Sequence, residues 1–190
     1  MASALETRSR LGAALIIRAI PTAIAALVIT FSRDHSPVIG ITVFFGFTFA
    51  LAPVLLFTMV WVPLEGISRI MFGIQTGATL LAGIWAVASI GGDRQTLIFI
   101  VSTWAAVTGI AELYAGYGQS ERVFAREWIA TGAFTAVLAL VLAVIPVNDV
   151  YAVGLIGAYG AILAVFLIIA GLSLRADATK ELSHNTETEV

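Results

Sequence analysis

The feature that most constrains this chain is the spacing of its charges. Runs without Asp, Glu, Lys or Arg cover residues 70–92, 95–111, 128–148 and 150–174, and a longer one covers 35–64. A helix needs about 20 apolar residues to cross the hydrocarbon core of a bilayer, and each run is near or above that length. The longest run opens on His35-Ser36-Pro37 and closes on Trp61-Val62-Pro63, which trims its apolar part to about 38–62. A further apolar stretch at 11–31 is interrupted once, by Arg18. The pattern predicts six transmembrane helices, at about 11–31, 38–62, 67–90, 95–117, 128–147 and 151–174. Barrel strands are excluded, because the runs are too long and lack the alternation of apolar and polar residues.

Composition says what such a chain is not. Of 190 residues, 59% are apolar and 12% charged, with a mean hydropathy of +1.00, whereas soluble domains carry about 25% charged residues. A water-soluble domain and a disordered regulator are both excluded. The 10 basic and 12 acidic residues lie in short islands, so no basic patch for nucleic acid forms. With no cysteine, there is neither a disulfide framework nor a thiolate site. Ala23-x-Ala25 behind Arg8 and Arg10 is similar to a signal-peptide cleavage site, but the apolar run continues to Phe31 and reads as a retained anchor.

Basic residues set the expected orientation. One side of the predicted membrane receives Arg8, Arg10, Arg69, Arg122, Arg126, Arg175 and Lys180, and the other only Arg33 and Arg94. The positive-inside rule then places both termini in the cytoplasm. Each short outer turn contains an aspartate, Asp34, Asp93 or Asp149, read as a turn former rather than a cation ligand.

The second half of the chain is similar to itself. A shift of 55 residues aligns Gly77 with Gly132, Ile90 with Ile145, Asp93 with Asn148, Trp104 with Tyr159 and Gly116 with Gly171. A shift of 59 gives a weaker match for the first hairpin, bringing Asp34 onto Asp93 and Phe45 onto Trp104. Three parallel helical hairpins are expected in one domain over 1–174, followed by a polar cytoplasmic tail at 175–190 with too little apolar content to fold alone. Small residues at four-residue spacing, around Gly73, Gly77, Gly109, Gly132 and Gly157, are read as packing surfaces within the bundle. Trp61, Tyr117, Trp128 and Tyr151 fall at span ends as interfacial anchors, while Trp85 and Trp104 are expected to fill the bundle.

Two ionisable residues fall within spans: Arg18 and Glu112. A charge there costs from about 2.5 kcal/mol upward and is expected to find a partner. At 1.5 Å per residue both lie roughly 8–10 Å from the cytoplasmic ends of their helices, and Gln75 has a comparable depth. Arg18, Gln75 and Glu112 therefore form the candidate intramembrane polar cluster, read either as a structural ion pair or as a proton-responsive carboxylate beside a cation. An unpaired carboxylate in hydrocarbon would take up a proton rather than stay charged.

The sequence contains no phosphate-binding glycine loop, no His-Glu-x-x-His and no Gly-x-Ser-x-Gly, and His35 and His184 are expected on opposite sides of the membrane. No catalytic, cofactor-binding or metal-ligating residues are assigned. Pro21 and Pro53 are expected to adapt their helices to packing.

Trp104 to Tyr114 with Gly109 and Glu112, then Arg126-Glu127-Trp128, Gly132, Pro146, Leu155-Ile-Gly157-Ala-Tyr159-Gly and Arg175 together resemble the HdeD-like acid-resistance membrane proteins over residues 95–175. Before residue 95 the likeness is architectural only. The resemblance implies a small six-helix protein of the bacterial inner membrane, linked to acid or envelope stress and without catalytic residues. Its partners would be the bilayer and either further copies of itself or a larger complex. The alternatives are an accessory subunit of a larger membrane assembly, such as a respiratory supercomplex, and a small transporter.

Overall fold

The computed structural model describes residues 2–62, 64, 66–119, 122–144 and 148–188, with side chains omitted at 2–4, 122–123 and 180–188. These residues form six α-helices: α1 (Ala2–Phe31), α2 (Pro37–Trp61), α3 (Gly66–Ala88), α4 (Arg94–Tyr117), α5 (Arg122–Val144) and α6 (Asp149–Thr188). All six are long and apolar enough to cross a membrane. In lipid, helices suit such a chain because each satisfies its own backbone hydrogen bonds. Pro63, Ile145 and Pro146, used above as end or repeat signals, lie outside the described residues, as do the side chains of Arg122, Lys180 and His184.

The helices start where local chemistry supports them. Asp93 precedes α4 and its carboxylate accepts the Thr96 N–H at 2.9 Å and the Thr96 hydroxyl at 2.7 Å. In the turn before α6, Asn148 accepts the Tyr151 N–H at 2.9 Å, the same capping geometry one repeat shift later. Before α2, Asp34 closes the turn by accepting the backbone N–H and the hydroxyl of Ser36. Asp149 serves otherwise: it opens α6 and pairs with Arg94 at 3.1 Å, tying the starts of α4 and α6 together. Gly91 adopts φ +95° in the α3–α4 turn, a conformation that L side chains rarely adopt.

Neighbouring helices follow a closed ring from α1 through α6 and back to α1, and α2, α4 and α6 also touch one another. The most extensive pairings are α1 with α6 and α4 with α5; consecutive α5 and α6 meet least of all consecutive pairs. The bundle core is apolar, but several polar side chains are buried within it while large apolar ones face outward. On α3 the buried positions include Ser68, Gln75, Thr76 and Thr79, while Ile70, Leu81 and Ile84 are exposed. Several buried threonine hydroxyls donate back to the carbonyl one turn earlier, as Thr76 does to Phe72 and Thr108 to Trp104, whereas buried Ser68 donates across to the Ala115 carbonyl of α4.

Close approach depends on small residues. Gly109 and Gly132 face each other across α4 and α5: a Cβ on Gly109 would stand 2.7 Å from the Ala136 nitrogen, and one on Gly132 would stand 2.8 Å from the Leu113 nitrogen. Gly157 receives Ile29 of α1, where a Cβ would meet the Ile29 side chain at 2.6 Å. Gly12 and Gly171 make a second tight crossing of α1 with α6, which the sequence reading missed.

Several expectations are corrected. Gly73 and Gly77 do not pack, since a Cβ on either would meet nothing within 4 Å. The buried face of α3 runs through Phe72, Gln75, Thr79 and Ala82, and the two glycines lie one position to its side. Trp128 is no interfacial anchor: it is 1% exposed and rests on Phe72, ring centroids 5.2 Å apart. Trp85 is 45% exposed and meets Phe99 on the outer surface rather than filling the bundle. α1 begins before its apolar run and α6 continues past the end of its own. The antiparallel register set by Gly12 opposite Gly171 continues to Leu5 and Ala178, both buried, so helix persists past residue 174 by packing on the chain's own N-terminal turns.

Substitution tests this packing directly. Gly109→Leu or Gly132→Leu should destabilise the detergent-solubilised protein by about 1–3 kcal/mol or more through overpacking, whereas Gly73→Leu and Gly77→Leu should leave the melting temperature unchanged or higher. Equal losses at all four positions would refute the assignment. Hydrogen bonding from Thr96 holds the Asp93 carboxyl below its ordinary value of 3.8. Its contribution is therefore complete above that value and is lost as pH falls through the lowered one. Amide exchange in the first turn of α4 should accelerate over that acid range, and Asp93→Asn, which keeps the acceptor, should remove the pH dependence.

Candidate functional site

Three helices each contribute one side chain to a buried polar cluster. On α4, Glu112 shares a face with Ala105, Gly109 and Gly116, all buried, and is itself 2% exposed. On α1, Arg18 shares a face with Ala14 and Pro21 and is 6% exposed, and on α3, Gln75 lies between Phe72 and Thr79 at 1%. Spacings of three and four residues put each set on one stripe.

The structure brings all three together. The Arg18 guanidinium forms an ion pair with Glu112 through Oε1, and Gln75 Nε2 donates to that same oxygen at 2.6 Å. Among the described residues, no Cα of α1 lies within 8 Å of one on α4. The long Arg18 side chain therefore links two helices whose backbones do not meet. Glu112 Oε2 and Gln75 Oε1 are buried and accept no hydrogen bond from any described residue.

The neighbourhood is tightly built. A Cβ on Gly132 of α5 would stand 3.0 Å from the Glu112 Cβ, so the α5 backbone covers the carboxyl-bearing side chain. Taking two charges out of water costs several kcal/mol per ion, which attraction offsets only with good geometry and further hydrogen bonds. Gln75 supplies such a bond. Its own helix turn is held by Thr79, whose hydroxyl donates to the Gln75 carbonyl at 2.8 Å and accepts the Trp104 indole N–H at 3.1 Å.

Sequence reasoning missed part of this setting. Thr79 with Trp104, and Thr135 with Tyr159 at 2.8 Å, form interhelical contacts between consecutive helices. Their aromatic members are the Trp104 and Tyr159 that align at the 55-residue shift, and that register was the available signal. Glu127 was counted in a loop, yet α5 begins earlier and Glu127 is 6% exposed, paired with exposed Arg126 at 3.1 Å.

A cleft of about 370 Å³ opens at the end of the bundle that carries the α2–α3 and α4–α5 turns, lined among others by Leu11, Gln119, Phe124 and Trp128. Trp128 rests on Phe72, three residues from Gln75, so one aromatic layer lies between cleft and cluster. No group of three or more His, Asp or Glu suited to a metal occurs among the described residues. Chemically, the cluster can hold a fixed charge pair or exchange a proton at Glu112.

Removing one partner of a buried pair leaves an uncompensated charge, at about 3–5 kcal/mol. Arg18→Met should therefore destabilise the protein by about that amount, Glu112→Gln should also destabilise it, and the double variant should lose less than the sum of the two. Strictly additive losses, measured by thermal unfolding at neutral pH, would show that the two residues do not interact. No family model, curated protein or solved structure matches the chain.

Proposed function

We propose that this chain is a non-catalytic multi-pass protein of the bacterial cytoplasmic membrane that acts in acid or envelope stress in the manner of the HdeD-like proteins it resembles. The observation that carries this reading is the buried Arg18–Glu112–Gln75 cluster, which places the chain's intramembrane charges against each other inside the bundle. The pair makes the charge on Glu112 part of what joins α1 to α4. Transport is less well supported. The space lined by Phe44, Trp104 and Tyr159 between the helices measures about 20 Å³, enough for about one water, while the 370 Å³ cleft lies at one end of the bundle.

Three hairpins related by a rough threefold arrangement fit the pattern of helix neighbours. In each case the first helix of one hairpin packs on the second helix of another: α3 on α2, α5 on α4 and α1 on α6. The matching caps at Asp93 and Asn148 fit the same reading. Both termini are assigned to the cytoplasm by the basic residues concentrated on their side.

One observation favours the accessory-subunit reading. α6 continues to Thr188 and is packed on the first turns of α1 as far as Ala178, so helix extends beyond the apolar span where another protein could dock.

A strain lacking the protein should survive acid challenge less well, and wild-type chain should restore survival. Unchanged survival would refute the stress reading. Stoichiometric copurification of larger membrane proteins in mild detergent would favour the subunit reading. The cysteine-free chain suits single-cysteine labelling: Ser183→Cys should react only from the cytoplasm and Asp93→Cys only from outside. External labelling at 183 in intact cells would overturn the orientation.

A further inference from the structure

We infer that Glu112 and Gln75 form a proton-binding site whose occupied state is a cyclic carboxylic acid–amide pair, and that filling it releases the Arg18 link between α1 and α4. The inference deepens the acid-stress reading but stands on its own geometry. Gln75 already donates its amide N–H to Glu112 Oε1 at 2.6 Å. The two remaining oxygens, Glu112 Oε2 and Gln75 Oε1, are both buried acceptors without a donor among the described residues. Burying an acceptor without a donor is unfavourable.

A single proton satisfies both. Added to Oε2, it turns that atom into a donor, and the new O–H points to Gln75 Oε1 while Gln75 Nε2 keeps its bond to Oε1. The ring closes when the carboxyl and amide planes align, a rotation about terminal torsions that are broad and soft. No bond between heavy atoms is made or broken: one proton enters from water, one O–H bond forms, and the cluster's charge changes from zero to plus one.

Arg18 is left as a cation without a counter-charge. The other ionisable groups around Glu112 do not replace it. On α6 the nearest is Tyr159, which is engaged with Thr135, and α2 carries no ionisable side chain. On α5 the residue packed against Glu112 is Gly132, and Glu127 pairs with Arg126. A buried unpaired guanidinium moves toward water along its flexible stem, here toward the cleft beyond Leu11 and Trp128. Because no α1 backbone approaches α4 among the described residues, losing this bridge removes the direct link between α1 and α4 and leaves α1 and α6 held to α4 and α5 through α2 and the slighter α5–α6 and α4–α6 contacts.

Infrared difference spectroscopy of the full chain in lipid vesicles, titrated from neutral to acidic pH, tests the site. Acidification should produce a hydrogen-bonded carboxylic acid carbonyl band that is absent in Glu112→Gln, together with a shift of an isotope-labelled glutamine side-chain carbonyl at the same pH. In Gln75→Leu the protonated fraction at a given acidic pH should fall severalfold and the acid band should move to the position of a free acid. No Glu112-dependent band while the protein stays folded, or an unchanged band in Gln75→Leu, overturns the inference. Should Gln75→Leu not fold, the wild-type spectrum decides, because an acid band without the coupled amide shift also overturns it. These spectra are independent of survival assays, so failure of the site and failure of the stress reading are told apart.

Discussion

The cost of placing charge in hydrocarbon governs this molecule. An arginine and a glutamate within apolar helices are tolerated only if they meet away from lipid, and here Arg18 reaches from α1 to Glu112 on α4 although those backbones stay apart. That reach requires a bundle closed tightly around it. Gly109 and Gly132 let α4 and α5 touch backbone to backbone, Gly12 and Gly171 do the same for α1 and α6, and Gly157 makes room for the Ile29 side chain. The ion pair thus depends on close packing elsewhere, and in turn joins the two most extensively packed helix pairs.

Lipid tails are as apolar as leucine, so burial of apolar surface gives little drive for helices to associate. The bundle instead adds small and hydroxyl-bearing residues to a core that also holds Leu55, Leu97 and Leu167, and it leaves other large apolar residues facing outward. Phe49 is 72% and Val60 78% exposed, whereas Thr48, Thr79 and Thr131 are at 1% or below. Interhelical hydrogen bonds such as Trp104 to Thr79 and Tyr159 with Thr135 add specificity where the hydrophobic effect cannot.

The six spans were legible because charge placement and helix length are strong one-dimensional signals, and the agreement covers every helix that the structure describes. The meeting of Arg18, Gln75 and Glu112 was legible from depth alone, since a charge with no alternative partner narrows the choices. Packing was harder to read. Gly73 and Gly77 carry the same four-residue spacing as Gly132 and Ala136, but spacing does not say which side of a helix faces its neighbours. Trp128 seemed an anchor because α5 appeared to begin there; the helix starts six residues earlier, which turns the indole inward. The ordered continuation of α6 depends on contact with α1, a tertiary effect that composition does not carry.

The account's central claim is that Arg18 and Glu112 are paired within the membrane. Solid-state NMR of the protein in lipid bilayers can measure the separation between labelled guanidinium nitrogens of Arg18 and the labelled carboxyl carbon of Glu112 at neutral pH. Strong dipolar coupling, corresponding to ion-pair contact within about 4 Å, is the predicted result. Absence of coupling in a folded, fully incorporated sample would contradict the account, because each charge would then need another partner.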